Sequence, residues 1–216
     1  GLKAIPNTYE ELLKIVNDKN NPLSHEKITL GKELFFDTKL SLDDTISCST
    51  CHMISKNPNE KKVILNAITS KKQPNDMKNA NNCVICHLSD ESGTDRLSTA
   101  IGYKGATNPH HLNTMTILNS SLAKVLTWDG EVKSIEKQIS NSIQSSYKMN
   151  IKEDELIEKL SKDEKYINHF NEVFKEENSL NFINIQKSIA AYVKILLTRS
   201  SFDEFLEGDN NAISAT

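Results

Sequence analysis

Cys48-Ser49-Thr50-Cys51-His52 decides how this chain is read, and Cys83-Val84-Ile85-Cys86-His87 repeats the pattern with 31 residues between Cys51 and Cys83. In such a motif two thiols form thioethers to the vinyl groups of a haem, and the adjacent His is held under the iron as proximal ligand. His52 and His87 are therefore the expected iron ligands, and two covalently bound haem c groups the expected cofactors. All 4 Cys of the chain lie in the two motifs, so none remains for a separate disulfide framework. A tetrahedral zinc site made from Cys48, Cys51, Cys83 and Cys86 is one alternative. A single haem with an unrelated Cys pair is another. Haem attachment requires a His directly after each pair, whereas zinc does not.

On the N-terminal side of the first motif, Leu12, Leu13, Ile15 and Val16 predict a short helix over Thr8–Asn17, stopped by Asn20-Asn21-Pro22. A second helix is predicted from Ser24 through Ile28, Leu30 and Leu34 to Phe36, and Asp37–Thr45 reads as a polar turn. Between His52 and Cys83 the chain is rich in Lys and Asn, with Val63 to Ile68 its main apolar payload, and reads as a surface excursion. From Gly93 to Asn113 Gly, Asn108 and Pro109 predict a long loop, a length that is often functional. The remainder reads as helices over Ser134–Ser145, Lys152–Ser161, Asp163–Glu176 and Asn181–Leu197, the last with a broad apolar stripe. The fold class expected from these elements is mainly α, with long loops.

The bulk composition narrows the function classes. A formal net charge of −3 with 25% charged residues leaves no electrostatic footprint for nucleic acid or an anionic membrane surface. No apolar run approaches the roughly 20 residues that span a bilayer. Gly1–Tyr9 lacks the basic start and apolar stretch of a signal peptide. Because haem attachment takes place outside the bacterial cytoplasm, an export leader removed in maturation and a periplasmic location are expected.

The remaining candidates concern the sixth position of each iron, which separates electron transfer from substrate binding. His110 and His111, on the loop after the second motif, could present a distal ligand; they could equally be a polar loop pair. His25 reads as a first-turn helix residue, and His169 as a surface residue of an amphipathic helix. Met53, Met77, Met115 and Met149 are thioether candidates or core filler. Trp128, the single tryptophan, is either a packed aromatic before a turn or a step on an electron path.

Several segments together resemble the bacterial di-haem cytochrome c peroxidases and the related methylamine-utilisation di-haem enzymes. They are Leu30-Gly31-Lys32-Glu33-Leu34-Phe35-Phe36-Asp37, Leu40-Ser41, Ile46 to His52, Asn113-Thr114-Met115-Thr116-Ile117-Leu118-Asn119, Trp128-Asp129-Gly130, and Phe202 to Asp209. The resemblance implies a mainly α, cytochrome c-like helical haem domain with long loops over residues 1–216, with the Cys48/Cys51 haem binding peroxide, and a second haem domain that would begin after Thr216. The stretch 57–91, carrying Cys83 to His87, is then an insertion that brings an added haem. The resemblance also places the family's leaving distal His near Ile101, where this chain has none, and its acid-base Glu at Lys148. Asn113 matches a position that helps bind calcium.

The function expected on these grounds is that of a periplasmic multi-haem redox protein, reducing hydrogen peroxide at the Cys48/Cys51 haem with electrons relayed by another haem. Its partner would be a small redox protein acting as electron donor or acceptor, and a homodimer is admissible. Gln138, Gln144, Lys148 and Trp128 are the candidates for catalytic support. The competing expectation is a non-catalytic electron-transfer cytochrome with both irons six-coordinate.

Overall fold

The computed structural model describes residues 2–54 and 93–214; Met77, Cys83, Cys86, His87 and the whole of the proposed insertion 57–91 lie outside them. Among the described residues the structure is helical, with two isolated β-bridges and no strand. The helices are α1 Tyr9–Val16, α2 His25–Phe36, α3 Cys48–Cys51, α4 Ile135–Gln144, α5 Glu153–Ser161, α6 Glu164–Phe174, α7 Phe182–Lys194 and α8 Ser201–Leu206. The motif helix α3 and the short α8 add to the helices that apolar spacing predicts.

Local chemistry sets the helix boundaries. Ser24 Oγ accepts from Lys27 N at 3.2 Å, Ser134 Oγ from Lys137 N at 3.1 Å, and Asn181 Oδ1 from Asn184 N at 2.9 Å. Each satisfies a backbone donor that a helix start leaves without a partner. Asp37 ends α2, then accepts from Lys39 N at 2.8 Å to open the turn Thr38–Leu40, and its second oxygen receives the Tyr166 hydroxyl.

The core is the crossing of α2 over α7. Gly31 sits at the contact, where a Cβ would stand 1.8 Å from the Ser188 carbonyl oxygen, so only glycine lets the two backbones approach this closely. Around it Phe35 meets Tyr192 edge to face at 5.3 Å, and Ile28, Leu30, Leu34, Ile185 and Ile189 are buried. Helices α4, α5 and α6 close the remaining sides of the same apolar cluster through Ile143, Leu156, Leu160 and Phe170.

A smaller cluster of Leu12, Val16 and Leu197, with Ile5 and Leu23, seats α1. Ile5 N donates to Asp203 Oδ1 at 2.7 Å, which ties the N-terminal segment to α8. His169 is half-buried, with Nδ1 3.3 Å from Glu33 on α2. The amphipathic reading of its helix therefore stands, but His169 lies on the flank facing α2. Among the described residues no helix is long and apolar enough to cross a membrane.

Candidate haem site

The motif Cys48–His52 forms one short helix and its C-terminal cap. Ser47 N donates to Thr50 Oγ1 at 3.0 Å, and the Ser47 and Ser49 hydroxyls are 2.8 Å apart, so the residues between the cysteines stabilise the helix start. His52 N donates to the Cys48 carbonyl at 2.9 Å, closing the turn. The i, i+3 spacing puts both cysteines on one face, and no disulfide joins them. Burial pushes the Cys48 thiol up to about 12 and raises that of Cys51 as well.

His52 is oriented by the segment that begins at Gly93. Its Nδ1 lies 3.1 Å from the Gly93 carbonyl, and the backbone of Met115 also faces the ring. With Nδ1–H donating to that carbonyl, Nε2 carries the lone pair and is free to bind a metal. Burial, assisted by the Lys148 charge, holds the imidazole below its ordinary value, so the neutral form that a metal ligand requires is the favoured one. Gly93 has φ +72°, and a Cβ there would meet Thr116 Oγ1 at 2.9 Å, so glycine is needed both for the turn and for the close approach. Gly93 N in turn donates to the Met53 carbonyl at 3.0 Å. The described chain thus leaves the motif and returns to it at almost the same point.

The residues fit a haem on chemical grounds. Two thiols share one helix face, burial favours the neutral form of the adjacent imidazole with one nitrogen committed, and large apolar side chains stand nearby alongside the charges of Lys148 and Asp95. Cys51 Sγ donates to the Ile101 carbonyl at 3.5 Å. Met53, Ile101 and Met115, each in or tied to this site, are 42%, 43% and 38% exposed. Large apolar side chains left open beside a ligand site mark surface that a ligand would cover. A haem held there would be attached through Cys48 and Cys51 and ligated by His52.

The other predicted residues are distributed unevenly around this site. Lys148 lies beside it: its carbonyl accepts from Tyr103 N at 2.7 Å, and its charge is felt at both Cys51 and His52. His110 and His111 are exposed on a loop braced by the bridge between Ile101 and Thr107, and His111 has φ +54°. The charge of His110 is felt by Asp129, so this loop neighbours the turn carrying Trp128, which is 60% exposed. Asn113 is exposed, Gln138 half-buried, and Gln144 exposed with Nε2 donating to Ser140 Oγ at 3.1 Å. Met149 is buried in the core. Among the described residues no group of three or more His, Cys, Asp or Glu could hold a metal ion. Sequence reasoning passed over Gly93 and Asp95, whose charge also reaches Cys51 and His52. Their signal was only the Gly-Thr-Asp turn of a long loop.

The family model described as di-haem cytochrome c peroxidase matches residues 25–81 and 76–211. The chain belongs to that family. Among its curated relatives, the cytochrome c551 peroxidase of Pseudomonas aeruginosa is 27% identical over 215 residues, covering 99% of this chain and 50% of the relative. The methylamine utilization protein MauG of Methylorubrum extorquens is 26% identical, with the same shares covered. The cytochrome c peroxidase Ccp of Escherichia coli is 32% identical over 90% of this chain and 34% of its own length. The chain therefore spans about half the length, or less, of the curated relatives it matches. Among solved structures, a MauG-like protein associated with microbial copper homeostasis superposes with a TM-score of 0.67 at 24% identity, over 92% of this chain and 48% of that one. The di-haem peroxidase BthA from Burkholderia thailandensis gives 0.51 at 16% identity, over 82% and 39%. The mainly α, cytochrome c-like fold expected from the sequence is the fold these di-haem proteins share, and covalently bound haem c is the cofactor that membership implies.

Proposed function

We propose that this chain is the peroxide-binding haem domain of a multi-haem peroxidase, reducing hydrogen peroxide at the Cys48/Cys51 haem. The observation that carries the reading is the orientation of His52, whose Nδ1 is turned to the Gly93 carbonyl at 3.1 Å so that Nε2 can serve iron. A haem bound here would supply a redox-active iron at which peroxide could be reduced. The protein's own contribution is threefold. Cys48 and Cys51 fix the group on α3, His52 stays neutral by burial, and the Gly93 and Met115 backbones hold its ring. Two electrons and two protons per peroxide complete the conversion to two waters, the electrons coming from a small redox protein.

The segment 57–91 is read as an insertion bearing a second haem on Cys83, Cys86 and His87, a relay for those electrons. The hydrogen bond between Met53 and Gly93 supports this reading, because a stretch whose ends meet can be added without disturbing the frame around it. Trp128, exposed at the tip of its turn, is proposed as a step on the electron path into the Cys48/Cys51 haem. Asn113 is proposed to share a calcium ion with that domain, and association as a homodimer goes with the same assembly. The periplasm is the proposed location, since haem attachment to such motifs takes place outside the cytoplasm.

A second reading is a non-catalytic electron carrier with both irons six-coordinate. Lys148 favours it, because an amine at that place is a poor substitute for an acid-base carboxylate. Intact mass combined with a reduced pyridine-haem spectrum tests the haem count, and cyanide binding tests the open iron. Two haems and a cyanide-responsive high-spin component are expected. One haem would make Cys83 and Cys86 a structural pair, and no response to cyanide in either redox state would leave the carrier reading.

A further inference from the structure

We propose that Thr114 is a positioning residue for the bond between His52 and iron. By locking the segment Gly93–Asp95 to the segment Thr114–Thr116, it holds the backbone groups that orient the imidazole, and so helps set the reduction potential of the Cys48/Cys51 haem. The inference rests on a haem held at that motif with His52 as its ligand, and does not depend on what the iron reduces.

Two backbone segments face the His52 ring. The Gly93 carbonyl stands 3.1 Å from Nδ1, and the backbone of Met115 belongs to the other segment. Neither segment is helical, so no helical hydrogen-bond ladder fixes them. They are joined instead by a crossed pair of side-chain bonds centred on Thr114. Thr94 Oγ1 donates to the Thr114 carbonyl at 2.8 Å, and Thr114 Oγ1 donates in return to Asp95 Oδ2 at 2.8 Å. The second oxygen of Asp95 accepts from Leu97 N at 3.1 Å, which holds the carboxylate within its own turn. Thr114 is 8% exposed, so its hydroxyl has little water to exchange for that charged acceptor. On either side of the pair the same two segments meet again, through Ile117 N to the Gly93 carbonyl at 3.3 Å and Ala100 N to the Leu112 carbonyl at 2.9 Å.

An Nδ1–H committed to a carbonyl leaves more electron density on the ligating Nε2, and a stronger donor favours ferric over ferrous iron. That effect is only as steady as the carbonyl. With the lock opened, Gly93 and Met115 move with their separate segments, the imidazole becomes a weaker donor, and ferrous iron gains. Thr114 acts through those two backbones.

The test is an optical redox titration of the haem-loaded protein. The step belonging to this haem is the one retained in a Cys83→Ala/Cys86→Ala chain. Thr114→Val removes the hydroxyl at nearly constant shape, and should shift the ferric–ferrous equilibrium about threefold or more toward ferrous, less than the loss of a group bonded directly to the ligand would. Thr114→Ser, which keeps the hydroxyl, should restore the original midpoint. Thr94→Val removes the reciprocal bond and should raise the midpoint in the same direction; it replaces Thr114→Val if that chain does not fold. Leu12→Ala opens the separate cluster under α1 and loosens the fold away from the lock, so it should leave the midpoint in place. An unchanged or lowered midpoint in the valine variant overturns the lock while leaving the peroxidase reading intact. An equal shift in Thr114→Ser or in Leu12→Ala also overturns it, since either marks a merely structural role. No covalent haem in the Cys83→Ala/Cys86→Ala chain overturns the lock and the peroxidase reading together.

Discussion

The α2–α7 crossing and the shelf around α3 are built on opposite terms. The crossing is closed by its own side chains, with Phe35, Tyr192, Leu30 and Ile185 buried around a glycine contact. The shelf is held largely by backbone hydrogen bonds, Gly93 to Met53, Tyr103 to Lys148 and Ala100 to Leu112, and leaves Met53, Leu97, Ile101, Met115, Val125 and Trp128 exposed. The first region supplies stability by excluding water from apolar surface. The second supplies a frame that, among the described residues, leaves apolar side chains exposed. Stability and chemistry are thus assigned to different parts of one small fold.

This contrast is most vulnerable at Gly31, where the largest effect is expected. Gly31→Ala forces a Cβ onto the Ser188 backbone, and should destabilise the fold by about 3 kcal/mol, read as a lower midpoint in chemical denaturation. A loss under about 0.5 kcal/mol would mean that the crossing yields, and the distinction between a closed core and an open shelf would weaken.

A smaller effect is expected at the polar margin of the core. Lys194 Nζ lies 2.8 Å from Glu136 Oε1, which also receives Asn21 Nδ2 at 3.0 Å. Burial alone would raise the Glu136 carboxyl, but hydrogen bonds from Lys194 and Asn21 outweigh it and hold the carboxyl below its ordinary value. A carboxyl depressed on folding gives stability that is present above the unfolded value of 4.5 and lost as pH falls through the folded one. Denaturation midpoints should therefore decline below about pH 4.5 and do so less steeply in Glu136→Gln, which should itself cost about 1–2 kcal/mol at neutral pH. An identical acid slope in the variant would remove Glu136 from the account.

The smallest stability effect is expected at Trp128. Trp128→Ala removes a side chain that is 60% exposed, so the midpoint should shift by less than about 0.5 kcal/mol. Electron transfer into the Cys48/Cys51 haem, followed by stopped-flow absorbance in the haem-loaded protein, should nonetheless slow. A large loss of stability with unchanged transfer would reverse the assignment and make the shelf part of the core.

Features with a local cause were legible in the sequence before any packing was known. The haem-attachment pattern names its own chemistry through residue type and spacing. The helices α1, α2 and α4 to α7 follow from apolar periodicity and caps such as Ser24, Ser134 and Asn181, to within a residue or two, except that α7 stops at Lys194, three residues short of the expected Leu197. Family membership was likewise legible, in the stretch around Gly31 and the segment from Asn113 to Asn119. That the Gly93 carbonyl orients the His52 ring came from the packed structure alone. Gly93 and Lys148 reach His52 and Cys51 across long sequence separations, whereas His110 and His111 stand exposed on a neighbouring loop. The physical reason is that a loop residue carries no periodic signal of direction. Where it points is fixed by backbone hydrogen bonds to distant segments, and those exist only once the helices have packed.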